Sequence, residues 1–203
     1  MEPRIPFEPE TFYHVYHHGN AEENLFRTEE NYHYFLKKYA EYIYPVAATY
    51  AYCLMPNHFH LLIRVRPEEE LRAFFSSLGK ALPGFQTLEG LVSRQFSHWL
   101  NGYTQAFNKM YNRKGSLFLK SLRRKAIRDD HYFTQGIRYI HYNPVHHRFV
   151  QDLNDWPHSS YQALLSRRPT KLPREEVMAW FGDRTGFLES HQFDPVIPLD
   201  FED

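Results

Sequence analysis

His58-Phe59-His60 sets two imidazoles two residues apart in a stretch that stays apolar through Leu61 and Leu62. Along a β-strand, residues i and i+2 project to one face. Both rings therefore point together while Phe59 packs behind them. Neutral imidazole ligates divalent transition metals and can share a site with the oxygen donors of magnesium-like chemistry. Two protein ligands leave coordination positions open, which a metal needs if it is to polarise a phosphate oxygen. A chain with thirteen histidines, His17-His18 and His146-His147 among them, also yields a His-x-His triplet readily by chance.

Tyrosine is the second residue type with chemical potential, and there are fifteen. Its hydroxyl can join a protein to DNA through a phosphodiester-like bond that conserves energy for rejoining. With an ordinary pKa of about 10, the phenol needs a nearby cation to favour phenolate. Most tyrosines are half-buried amphipathic residues. Tyr132 lies in the first turn of a predicted helix after Arg128-Asp129-Asp130-His131, with Tyr139 and Tyr142 further along. The single cysteine, Cys53, lies in an apolar run; it reads as a small buried residue and has no partner for an internal disulfide.

Net charge is zero, yet its distribution is uneven. From Gly90 to Arg128 there is no Asp or Glu but nine basic residues: Arg94, Lys109, Arg113, Lys114, Lys120, Arg123, Arg124, Lys125 and Arg128. Acid gathers from Glu175 to Asp203 instead. A basic block inside a neutral chain is the footprint expected of a phosphate-binding surface, although a solvated face would look similar. Arg113, Lys114, Lys120, Arg123, Arg124 and Lys125 are the candidates to grip DNA phosphates. No apolar run approaches the roughly 18 residues of a membrane span, and the start, Met1-Glu-Pro-Arg-Ile-Pro-Phe-Glu, lacks a signal-peptide layout. The expectation is a cytoplasmic protein with no membrane partner.

The elements that must position these groups follow from periodicity and punctuation. Phe12 to His18 predicts a strand ended by Gly19-Asn20, and Thr28 caps a helix to about Tyr42. Val46 to Met55 and His58 to Val65, around Pro56-Asn57, predict a hairpin. Helices are predicted from Glu68 to about Leu82, interrupted by Pro83-Gly84, and from Leu91 to Tyr111. After the basic turn 112–115, Ser116 to Ile127 suggests a strand. Asp129 or Asp130 caps a helix from about His131 to Tyr142, stopped by Asn143-Pro144, and Ser159 to Leu165 gives one short helix. The layout predicts an α+β domain with a largely antiparallel sheet over residues 1–165, and residues 166–203 form an acidic extension.

Met55-Pro56-Asn57-His58-Phe59-His60-Leu61-Leu62 resembles the HUH signature (His, bulky hydrophobe, His) of the REP-associated tyrosine transposases, relatives of insertion-sequence transposases that work on single strands. The resemblance continues in order along the chain. Tyr13-His14-Val15 with Gly19-Asn20 resembles the family's first strand, and Gly115-Ser116-Leu117-Phe118 the segment before its last strand. Tyr139-Ile140-His141-Tyr142-Asn143-Pro144-Val145 resembles the end of its tyrosine helix, and Trp156 with Ser159-Ser160-Tyr161 the tail that follows.

The resemblance implies a ferredoxin-like HUH endonuclease fold, Mg²⁺ or Mn²⁺ held by His58 and His60, and Tyr132 as nucleophile forming a 5′-phosphotyrosine. The implied substrate is single-stranded or hairpin DNA from palindromic repeats, and the implied state is a monomer or a homodimer. Two positions depart from the pattern. The insertion-sequence branch often places a third metal ligand four residues after the tyrosine, where this chain has Gly136; Gln135 is the shifted candidate, with Asp130 or water as alternatives. His18 stands where the family more often has arginine. Rival readings are a relaxase or replication initiator of the same chemistry, a histidine-triad hydrolase, which Leu62 in place of a further histidine disfavours, and a transposase-derived DNA-binding protein without catalysis.

Overall fold

The computed structural model describes residues 5–79 and 87–195. Strands β1 (Phe12–His18), β2 (Ala47–Leu54), β3 (His58–Val65) and β4 (Arg123–Ile127) form one sheet in the order β2-β3-β1-β4, with every neighbouring pair antiparallel. Helices α1 (Glu29–Tyr42), α2 (Glu68–Ser77) and α3 (Leu88–Met110) follow strands β1 and β3. Helix α4 (Asp130–His146) follows β4, and the short α5 (Tyr161–Leu165), α6 (Arg174–Trp180) and α7 (Arg184–Ser190) complete the described chain. The expected Pro83-Gly84 interruption, and with it the predicted end of the helix from Glu68, lies outside the described residues.

Strand alternation divides the side chains between two faces and so builds two cores. Tyr13 and Val15 of β1 and Phe59, Leu61, Ile63 and Val65 of β3 face α1 and α3, where they meet Phe35, Trp99, Tyr103 and Phe107. Trp99 donates its indole N–H to the Phe35 carbonyl at 3.3 Å, so this large side chain is buried without an orphaned donor. The opposite face carries Leu62 with Ala51 and Cys53 of β2, packed against Phe133, Ile137 and Ile140 of α4. A β-bulge between Thr49 and Ala51 keeps β2 in step with this arrangement.

Local chemistry sets the element ends. The Asn31 carbonyl accepts from the backbone N–H groups of Arg27 and Thr28, tying the entry to α1. Gly19 closes the β1 end: a Cβ there would sit 2.1 Å from the Glu23 carbonyl oxygen, so only glycine fits. Asp129 Oδ1 accepts from the N–H groups of His131 and Tyr132 and caps α4.

Three elements differ from the sequence expectation. Helix α4 does not stop at Asn143-Pro144 but runs to His146, with Pro144 inside it. Proline costs an interior helix a hydrogen bond and a ring clash; here Asn143 and Pro144 are buried, and the His147 N–H continues the ladder to the Asn143 carbonyl at 2.9 Å. Of the predicted strand from Ser116 to Ile127, only Arg123–Ile127 is regular, with Phe118 joined to Gly19 by an isolated bridge. Beyond residue 166, Val177 and Phe187 of α6 and α7 are fully buried in the second core. Tyr50 donates to Glu176 at 2.8 Å, and Arg138 donates to the Phe193 carbonyl at 3.0 Å.

Candidate functional site

The histidine pair lies on β3, an internal strand of the sheet, and both rings project to the α4 face, as a two-residue step requires. Their rings stand 5.1 Å apart and nearly perpendicular, and His58 and His60 are 3% and 0% exposed. Register supplies their neighbours. Tyr16 and His18 of β1 lie opposite His60 and His58, and Arg123 of β4 lies opposite Tyr16. A row Arg123–Tyr16–His60 therefore crosses the sheet, with Lys125–His14–Leu62 beside it. His14 Nε2 and His60 Nδ1 share a hydrogen bond of 2.9 Å, and the His18 ring stacks on His58 at 4.9 Å.

Burial, reinforced by the surrounding histidines His14, His58, His18 and His147, holds the His60 pKa well below the ordinary imidazole value. A neutral ring is the ligand form. His58 is oriented by Asn57, whose Oδ1 lies 2.8 Å from its Nδ1; such partners fix the tautomer and aim of metal-ligating histidines. The donor chemistry thus fits a divalent metal with open positions. Among the described residues, no group of three or more His, Cys, Asp or Glu side chains is disposed to hold a metal ion.

Helix α4 roofs the pair. Tyr139 places its ring 5.5 Å from His60 and 6.0 Å from His14, and Asn143 Oδ1 lies 3.2 Å from His58 Nε2. At 3.6 residues per turn, Tyr132, Tyr139 and Asn143 share one stripe of the helix. Tyr132 is 43% exposed in the first turn, two turns or about 10 Å along the axis from Tyr139. Tyr139 is therefore the tyrosine of α4 in ring contact with the histidines, and Tyr132 lies beyond it on the same stripe. Gln135, between them, accepts from Arg138 Nη1 at 3.0 Å.

The basic candidates separate by face. Arg123 and Lys125 share the face of the histidine pair, whereas Arg124 lies on the other, over the Phe7 ring and donating to the Ile5 carbonyl. Arg113 is committed within the fold, with Glu23 Oε2 at 3.1 Å, Asn108 Oδ1 at 2.8 Å and the Ser116 carbonyl at 2.9 Å. Lys114 and Lys120 are exposed at the approach to β4. Sequence reasoning missed His14, Tyr16 and Asn143 as members of the site. The alternation His14-x-Tyr16-x-His18 was a usable signal, but strand register decides that it meets His58 and His60.

An antiparallel α+β domain with a histidine pair on an internal strand, roofed by a tyrosine-bearing helix, is the class that fold and site define. No family model matches the chain. It is similar to a Haemophilus influenzae protein whose name, REP-associated tyrosine transposase, is itself provisional, at 30% identity over 115 residues. That alignment covers 56% of this chain and spans 58% of the relative's length. The structure is similar to that of a REP-associated tyrosine transposase bound to a REP hairpin, with a TM-score of 0.55 at 18% identity over 83% of this chain and 88% of that one. At this identity the second likeness establishes the α+β fold.

Proposed function

We propose that this protein is a metal-dependent, single-tyrosine HUH endonuclease and strand transferase acting on single-stranded or hairpin DNA. One observation carries the reading: a single sheet face presents His58, His60, Arg123 and Lys125, with Tyr139 and Asn143 of α4 against the histidines. The named relatives support the choice of DNA hairpins as substrate.

His58 and His60 would hold Mg²⁺ or Mn²⁺, which when bound polarises a phosphate oxygen and stabilises charge at the reacting phosphorus. Arg123 and Lys125 grip flanking phosphates and set the register of the strand without reading its bases. The Tyr132 hydroxyl oxygen attacks phosphorus, the bond to the 3′-oxygen breaks, and the 5′-phosphate remains on the tyrosine. A 3′-hydroxyl reverses the step and rejoins the strand, so no nucleotide cofactor is consumed.

Tyr139 is the rival nucleophile, favoured by its ring contact with His60. Exposure favours Tyr132, since DNA must reach the hydroxyl and Tyr139 is only 5% exposed. Labelled hairpin oligonucleotides incubated with the protein test the reading. Cleavage should require Mn²⁺ or Mg²⁺, stop with EDTA and be lost in His58→Ala. Retarded DNA with no cleavage under either metal would instead select a DNA-binding protein that has lost its catalysis.

A further inference from the structure

We propose that Asn143 supplies the oxygen ligand of the metal held by His58 and His60, an assignment that rests on the metal-dependent reading above. His58 lies between two amide oxygens, with Nδ1 2.8 Å from Asn57 Oδ1 and Nε2 3.2 Å from Asn143 Oδ1. A neutral imidazole has one N–H. With that proton on Nδ1, on the side of the shorter contact, the Nε2 lone pair faces the Asn143 oxygen. In that tautomer a cation between the two atoms takes a donor from each.

The separation suits a cation. Two ligands at right angles on a six-coordinate ion with bonds of about 2.1 Å bring their donor atoms to about 3 Å. Amide oxygens are among the hard donors that Mg²⁺ and Mn²⁺ select, and imidazole can share such a site.

Asn143 is 0% exposed, and its Nδ2 has no hydrogen-bond partner among the described residues. Buried amides are normally hydrogen-bonded. Asn143 is held in place by the buried Pro144 that follows it, in a helix that continues to His146. Gln135, the shifted candidate one turn after Tyr132, accepts from Arg138 Nη1 at 3.0 Å.

Calorimetric titration of the full chain with Mn²⁺ tests the assignment without reference to activity. Asn143→Leu, close in shape, should weaken Mn²⁺ binding at least ten-fold. Asn143→Asp, which adds a charged oxygen, should bind at least three-fold more tightly than the wild type, and Gln135→Ala should leave the affinity unchanged. Wild-type affinity in Asn143→Leu, with binding abolished in His58→Ala, would overturn the role of Asn143 while keeping the metal reading. No Mn²⁺ binding by the wild type would overturn both. If Asn143→Leu fails to fold, Asn143→Asp decides: tighter binding supports the ligand role and unchanged affinity contradicts it.

Discussion

Arg113 and Arg123 are both arginines of one acid-free stretch, and they do different work. Arg113 binds Glu23, Asn108 and a backbone carbonyl within the fold, while Arg123 is exposed on the face of the histidine pair. Each phosphate contact contributes about one unit to the slope of log affinity against log salt. Arg123→Ala and Lys125→Ala should therefore each weaken hairpin binding and reduce that slope by about 1, read from filter binding across a salt series. Arg113→Ala should leave the slope unchanged and lower thermal stability. The basic block was legible in the sequence because composition records charge. Which members face the site was not, because the irregular path of residues 116–122 sets the phase of β4. The Asn143 contact was hidden for a similar reason: it depends on the rotation of α4 against β3.

Helix α4 is the element on which the reading turns. Asp129 caps it by accepting from the two N–H groups of its first turn, one of them that of Tyr132. Asp129→Ala should cost about 1 kcal/mol, the usual loss for an N-cap. Because the frayed turn carries the proposed nucleophile, strand cleavage should fall while hairpin affinity holds; paired urea unfolding and cleavage assays check both. The start of α4 was legible from Asp129 and Asp130, and the hairpin of β2 and β3 from Pro56-Asn57 between two apolar runs. Its end was misplaced because Asn-Pro is a strong local stop signal. Burial of both residues against the sheet outweighed that signal. Local propensity yields in this way wherever packing supplies more than it loses.

Taken whole, the molecule is a sheet with a core on each face, and the second core is completed by residues far down the chain. Phe187 is fully buried there, so Phe187→Ala should destabilise the protein by about 3–5 kcal/mol in urea unfolding. A loss below about 0.5 kcal/mol, typical of surface positions, would mean that α7 adds little to the fold. The sequence concealed this contribution because the apolar residues from Val177 to Phe181 and Phe187-Leu188 lie in a segment otherwise rich in Pro and acidic residues.

The same region carries a buried chain of hydrogen bonds. Ser160 Oγ accepts from the Tyr52 N–H and lies 2.7 Å from His141 Nε2; His141 Nδ1 lies 2.9 Å from His191 Nε2, and His191 Nδ1 lies 2.7 Å from the Phe187 carbonyl oxygen. Burial lowers the His191 pKa to about 4, and burial together with His191 lowers that of His141 well below the ordinary value. Unfolded rings take protons below about pH 6.5, while the folded His191 ring resists until about pH 4. The stabilisation is therefore full above pH 6.5 and is lost as pH falls toward 4, by on the order of 3 kcal/mol for His191. His17, also lowered to about 4 by burial, adds in the same direction. Urea midpoints between pH 7 and 4.5 should fall with acid, and His191→Gln should show a shallower fall.

The central claim is that Tyr132 becomes covalently joined to DNA at a site defined by His58 and His60. The direct measurement is to trap the protein–DNA adduct formed with Mn²⁺, digest it with protease and nuclease, and locate the nucleotide by mass spectrometry. The account predicts a phosphonucleotide on the peptide bearing Tyr132, with no adduct in Tyr132→Phe or His58→Ala. A nucleotide on Tyr139, or an adduct that survives in Tyr132→Phe, would contradict it.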